Sequence, residues 1–322
     1  MPEPIKGIHH VSAITARADK NLAFYTNTLG MRLVKKTVNQ DDTSMYHLFY
    51  ADEQGSPGTD LTFFEIPRAG RTHTGSQSIS RTGLRLADDA AVDYWKERLE
   101  QAGVTVHDRV IESGRLTLPF EDPEGQRLAL VSTEQDEVKP ASVPPQHSDV
   151  PDIHAIQGLG PVELTVPKLQ KSEEVLVSVL GFKRLDDDVH GHGTTAVYQA
   201  PGSSGAASEI RIVESVEPKE RPGRGSVHHV AFRVRDEEDL RDWAELINSR
   251  GWANSGVVER YYFKSFYFRE PNGILYELAT DGPGFDIDEP LESLGRSLAL
   301  PPYLEHKRGE IEQTLTPLPD QD

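Results

Sequence analysis

Cysteine is missing from this 322-residue chain. Disulfides and thiolate metal sites are thereby excluded, so any metal must be held by His, Asp or Glu. Long apolar runs are missing too. None approaches the roughly 18 residues that suggest a membrane span. No apolar signal-peptide region precedes the first strand-like segment, and cytoplasmic location is the resulting expectation. Basic residues are scarce beside acidic ones, 34 against 52, for a net charge of −18. Such an excess repels nucleic acid and anionic lipid, so neither is an expected partner. Nucleophilic hydrolysis has no support, with no Cys and no Ser in a Gly-x-Ser-x-Gly setting, and no phosphate-binding Gly loop appears. Aromatic residues make up only 7% and hydrophobic residues 36% of the chain. At this length that suffices for two ordinary domains.

What the chain does have is an internal repeat. Four helical stripes, Leu22/Tyr25/Leu29, Val92/Trp95/Leu99, Leu169/Val175/Val179 and Leu240/Trp243/Ile247, are each closed by a glycine: Gly30, Gly103, Gly181 and Gly251. Apolar positions three and four apart mark one helix face, and a glycine just past the end is the common C-terminal cap. A short alternating strand precedes every stripe, starting at His10, Arg81, Pro161 and His229. From strand start to glycine the spacings are 20, 22, 20 and 22 positions, so units one and three are alike, as are two and four. Asp122-Pro-Glu-Gly125 and Glu270-Pro-Asn-Gly273 match as type I turns. The pattern predicts an α+β fold of four βαβββ modules paired into two domains, each with curved mixed sheets and flanking helices. The expected division is an N-terminal domain over 1–135, a polar, Pro-rich linker over 136–152, and a C-terminal domain over 153–322 that ends in a Pro-rich tail.

One dipeptide carries the chemistry. Ile8-His9-His10-Val11 recurs as Val227-His228-His229-Val230, and a later strand carries Tyr276-Glu277-Leu278. Strand alternation assigns directions. Val230, Phe232 and Val234 should pack against helices, so His229 and Ala231 face the concave side, and Glu277 opposes Tyr276 and Leu278. His229 to Glu277 is 48 positions; the same offset in unit two joins Arg81 to Ala129, and unit three has Pro161 in the first slot. Only units one and four carry histidines there. A three-ligand site of His10, His229 and Glu277 therefore requires those two units to face each other. Two histidines and one carboxylate with open positions are the donor set of mononuclear iron oxygenases. The alternating pair His190-Gly-His192 reads as a loop. His47, His73, His107, His147, His154 and His306 follow no pattern and read as surface or core residues.

With these motifs the chain resembles the vicinal oxygen chelate superfamily of glyoxalases and extradiol dioxygenases. Within it, the resemblance is to the ring-cleaving dioxygenases that act on hydroquinones, such as 2,6-dichlorohydroquinone 1,2-dioxygenase. It spans nearly the whole chain and includes Tyr46-His-Leu-Phe-Tyr-Ala-Asp-Glu53, Gly55-Ser-Pro-Gly-Thr59 and Glu292-Ser-Leu-Gly295. The resemblance implies Fe(II), with Mn(II) as the other candidate, a small aromatic diol and O2 as substrates, and ligands from the first and last units. It also implies supporting roles for His9, His228, Arg260 and Tyr267. Alternation directs His9 and His228 away from the cavity, unless a bulge at the strand start turns them. Catechol-cleaving relatives take all three ligands from the C-terminal half, where Pro161 stands in place of a histidine. Two other enzyme readings remain: an extradiol catechol dioxygenase, and a glyoxalase-like isomerase or thiol transferase using Glu65 as a fourth ligand. A non-catalytic binding module is disfavoured by the intact ligand set. Edge strands would support a homo-oligomer.

Overall fold

The computed structural model describes residues 2–190 and 193–319, so Gly191 and His192 of the alternating-histidine stretch lie outside the described residues. Four modules follow one another. The first comprises β1 (Ile8–Thr15), α1 (Ala18–Ala23), β2 (Arg32–Asn39), β3 (Asp42–Ala51) and β4 (Asp60–Glu65). In the second, β5 (Ser78–Leu86) and α2 (Asp89–Gln101) precede β6 (Thr105–Val106), β7 (Val110–Glu112), β8 (Arg115–Glu121) and β9 (Arg127–Ser132). The third has β10 (Leu159–Val166), α3 (Leu169–Glu173), β11 (Lys183–Arg184), β12 (Asp188–His190), β13 (Gly193–Gln199) and β14 (Glu209–Glu214). The fourth has β15 (Val227–Val234), α4 (Glu237–Asn248), β16 (Asn254–Glu259), β17 (Phe263–Arg269) and β18 (Leu275–Pro283); a short helix, α5 (Arg308–Thr314), lies in the tail. Among the described residues no helix is long and apolar enough to cross a membrane.

The helices repeat the pairing seen in the spacings. α2 and α4 both start on an aspartate, Asp88 and Asp236, whose side chain accepts an N–H three residues on, from Ala91 and Asp239. Such a cap satisfies one of the orphan donors of a helix start. α1 and α3 have no side-chain cap and run on as π-helical turns, Phe24–Thr28 and Glu174–Val179. All four closing glycines sit at positive φ, between +67° and +75°, which a side chain would strain. Both predicted turns close: Gly125 N–H donates to Asp122 C=O and Gly273 N–H to Glu270 C=O.

The sheets cut across the two sequence halves. An eight-stranded sheet runs β16-β17-β18-β15-β1-β4-β3-β2 and unites modules four and one. The other sheet, with β11-β13-β14-β10-β5-β9-β8-β6 as its main path, unites modules three and two. Two antiparallel seams hold the halves together, β1 on β15 and β5 on β10. Val230, Phe232 and Val234 are fully buried in the apolar core with Leu240, Trp243 and Ile247 of α4. On the opposite, concave face lie Ala231 and Ala279, in a smaller cluster with Val34, Phe49 and Phe263. The linker hugs module one, where Glu53 N–H donates to Val143 C=O and Val143 N–H to the Asp52 carboxylate.

The tail packs across the outer strands of the first sheet. Phe285 packs on Phe49 and Tyr262. Lys35 on β2 is fully buried, pairs with Asp288 at 2.7 Å and with Glu289, and sits over the Tyr262 ring. A buried ammonium is tolerated because two carboxylates and an aromatic face replace its water.

Candidate metal centre

The register of four neighbouring strands builds the site. Tyr267 on β17 is opposite Glu277 on β18, Glu277 opposite Ala231 on β15, and Ala231 opposite His10 on β1. His229 is opposite Ser12. Alternate residues share a face, so His229, Ala231 and Glu277 point to the concave side together. His10 joins them across the β1–β15 seam. Because β1 belongs to the first module and β15 and β18 to the last, no single module contains the three donors.

Their atoms converge. His10 Nε2 and His229 Nε2 lie 3.0 and 2.9 Å from Glu277 Oε2, and 3.2 Å from each other. All three side chains are buried. Glu277 Oε1 accepts the Ser265 hydroxyl, which fixes the carboxylate, while Oε2 has no hydrogen-bond partner of good geometry. A buried carboxylate oxygen left in that state is costly unless something else occupies the point of convergence. The spacing identifies what fits. With metal–ligand bonds of about 2.1 Å, donors at right angles are about 3.0 Å apart and donors at the tetrahedral angle about 3.4 Å. The observed edges match one face of an octahedron, so His10, His229 and Glu277 would hold a six-coordinate ion.

Electrostatics prepare these donors. Burial works against charge on Glu277, and the two facing imidazoles outweigh it, holding the carboxyl well below its ordinary range. Burial also lowers His229, against the pull of Glu277. An ionised carboxylate beside a neutral imidazole is the state a metal requires.

The preceding histidines stand behind the donors. His9 Nδ1 is 3.0 Å from His10 Nδ1, and its Nε2 is 3.1 Å from the Thr280 carbonyl oxygen. Burial, with the His10 ring second, holds His9 down to about 3, so it is neutral. His228 Nδ1 is 2.7 Å from His229 Nδ1. Neither His9 nor His228 lines the cavity over the donors. The bulge at Ile8/His10 sends His9 to a different cavity, beside Asp60, Asp281 and Phe285, and His228 is exposed near the Phe64 ring.

A partly open cavity lies over the two histidine donors. Phe49, Phe64 and Phe263 supply apolar walls, and Arg260 and Tyr267 reach in from one side. Arg260 Nε donates to the Tyr267 hydroxyl at 3.3 Å, and its guanidinium pairs with Asp41 at 3.0 Å. Burial, reinforced by the Glu277 charge, keeps the Tyr267 phenol protonated.

Glu65 takes no part in the cluster. Its carboxylate accepts the Ala18 N–H at the start of α1, and it lies five residues along β4 from Asp60, the partner of His10. Among the residues that escaped the sequence reading are Ser265, which holds Glu277, and the cavity residue His47. Ser265 shares a face with Tyr267 two residues on, so alternation from Tyr267 is the signal that would have found it. His47, expected at the surface or in the core, lines the cavity; its signal is its parity with Phe49 within the Tyr46–Glu53 motif.

The glyoxalase/bleomycin resistance protein/dioxygenase superfamily model matches residues 7–130 and 158–278. The chain is 54% identical to MhqA of Bacillus subtilis (strain 168), named as a ring-cleaving dioxygenase, over 98% of this chain and 99% of that one. Identity is 32% to a chlorohydroquinone/hydroquinone 1,2-dioxygenase of Sphingobium indicum, over 98% and 97% of the two chains. A crystal structure titled as a dioxygenase from Bacillus subtilis subsp. subtilis str. 168 superposes with a TM-score of 0.89 at 34% identity, covering 99% of both chains. Four repeated modules, a family model matched in both halves and near full-length relatives agree that the chain belongs to the glyoxalase/bleomycin resistance protein/dioxygenase superfamily.

Proposed function

We propose that the protein is a ring-cleaving dioxygenase that opens a hydroquinone-type aromatic diol with O2, using Fe(II) held by His10, His229 and Glu277. One observation carries the reading: three buried donor atoms lie 2.9–3.2 Å apart, and the two histidines among them line a cavity with aromatic walls. The names of the relatives supply the reaction class. Mn(II) suits the same imidazole and carboxylate donors. When bound, the metal supplies an electronic link between the electron-rich ring and O2.

The chain's own residues do the rest. Two neutral imidazoles and one carboxylate leave a divalent ion near +1, suited to a phenolate. Tyr267 stays protonated and donates a hydrogen bond to the substrate oxygen, and Arg260 offsets its negative charge. Phe49, Phe64 and Phe263 hold the ring and keep water away. A hydroquinone presents one oxygen per edge, so it docks through a single atom.

The test is O2 uptake by anaerobically Fe(II)-loaded protein with hydroquinone, methylhydroquinone and catechol in parallel. Uptake with the hydroquinones and little with catechol is expected. Uptake with catechol alone overturns the substrate class, and metal-retaining protein that takes up no O2 overturns the dioxygenase reading. Glu277→Ala should retain no iron by elemental analysis and lose activity by at least about 100-fold. A fully active, iron-loaded variant would remove Glu277 from the ligand set.

A further inference from the structure

Resting on that reading, we propose that His47 recognises the substrate oxygen across the ring from the metal-bound one, and so selects para-diols. The strand register sets the distance. His229 is opposite Ser12 on β1, Ser12 opposite Thr62 on β4, and Thr62 opposite Phe49 on β3. His47 lies two residues before Phe49 and shares its face. β3 is two strand spacings from β1, about 9.6 Å. A ring whose first oxygen meets the three donors and which extends toward β3 brings its far oxygen to the His47 side of the cavity.

The imidazole is held in place. Its centroid lies 4.0 Å from that of Phe49 and 4.1 Å from that of Phe64, and the ring stacks on Phe64. His47 Nε2 hydrogen-bonds Thr62 Oγ1 at 3.0 Å, and that hydroxyl is bonded in turn to Ser12 Oγ at 2.7 Å. Sandwiching fixes the plane and the Thr62 bond fixes the rotation. Nδ1 then remains without a partner among the described residues, on a ring that forms part of the cavity wall. Burial, followed by the fields of His10 and His229, holds the ring well below its ordinary pKa, so it is neutral. With Nε2–H donated to Thr62, Nδ1 offers a lone pair to a phenol O–H. With the opposite tautomer it offers an N–H to a phenolate or carbonyl oxygen. Either tautomer rewards an oxygen at the far position, and a catechol has none there.

The experiment reads binding, not turnover. Mn(II)-loaded protein under nitrogen is titrated by calorimetry with hydroquinone and with phenol, which lacks the far oxygen. Native protein should prefer hydroquinone by about tenfold, the worth of one well-placed hydrogen bond in a closed site. His47→Phe keeps an aromatic ring between Phe49 and Phe64 and should bring the ratio to about one. His47→Asn places an amide near the Nδ1 position and should recover part of the preference. Both ligands are measured on one protein, so a change in folded fraction cancels in the ratio; if His47→Phe fails to fold, His47→Leu replaces it. A preference that survives in His47→Phe, or that His47→Asn loses equally, overturns the assignment. Native protein that binds phenols without preference overturns it as well. Native metal-loaded protein that binds neither phenol overturns the dioxygenase reading, and the role of His47 with it.

Discussion

Each donor histidine leans on the histidine before it, and the His9–His10 pair shows the physical use of the doubling. The His9 Nε2 contact is a carbonyl, Thr280 C=O, which can only accept. His9 must therefore carry its proton on Nε2 and present a bare Nδ1. His10 Nδ1 then donates to it, and His10 Nε2 is left as a lone pair aimed at Glu277 and His229. A partner on one ring nitrogen fixes the tautomer and aim of the other. Removing it in His9→Ala should weaken metal affinity by about 10- to 100-fold in a chelator competition. His9→Asn, with an amide oxygen near Nδ1, should recover most of that loss. Affinity unchanged in His9→Ala would show that the contact does not matter. Alternation in the sequence correctly separated the cavity face of β15 from its core face. It could not show that a bulge in β1 swings His9 onto a carbonyl 271 residues away.

At the scale of elements, local signals were the readable ones. Helix stripes, closing glycines and the two Pro-Gly turns depend on neighbours within a few residues. The turn at Asp122 carries a further consequence. Its carboxylate accepts the N–H groups of Glu124 and Gln126 and the Tyr25 hydroxyl, yet burial dominates and raises its pKa from 3.8 to about 6. The folded state thus binds this proton more tightly than the unfolded chain. Between about pH 4 and 6 it carries the extra proton, and the contribution of Asp122 to stability falls as pH rises through that window. Asp122→Asn, which keeps one acceptor oxygen, should be more stable than native protein at pH 7 by about 1–3 kcal/mol, with the difference vanishing near pH 4. Urea unfolding at the two pH values checks this; equal stability at pH 7 would show that Asp122 is already charged without penalty. The tail was not legible in the same way. Lys35 and Asp288 lie 253 residues apart, and nothing near Lys35 in the chain announces a buried ion pair.

The whole molecule sets two equivalent sheets side by side with different contents. Gly83 pairs with Ala129 in one sheet as Ala231 pairs with Glu277 in the other, so the slots vacated by the donors can be compared directly. In place of His229 stands Arg81, paired with Glu112 at 2.8 Å and Glu163 at 2.9 Å. Arg211 joins Glu112 to Glu209, and Arg115 joins Glu209 to Asp136. An ion-pair lattice thus fills what a metal would otherwise organise. Breaking it leaves carboxylates short of a partner in a buried setting. Arg211→Met should cost about 3 kcal/mol in urea unfolding, while metal content, proposed to reside in the other sheet, stays at the native level. Loss of metal with this substitution would mean that the two sheets are energetically coupled.

The sequence alone determined the modules, their pairwise likeness, the parity of the histidine strands and the donor types, because all of these rest on spacing and alternation within one unit. It also required modules one and four to meet, since only they carry histidines in the relevant slots. Tertiary structure decided how they meet: an antiparallel β1–β15 seam that places His10 opposite Ala231 and brings three donor atoms within 3.2 Å. It alone placed His47 in the cavity and Ser265 on Glu277, and laid the tail on Lys35. Those contacts join strands whose order in the sheet differs from their order in the chain, and no local pattern encodes that order.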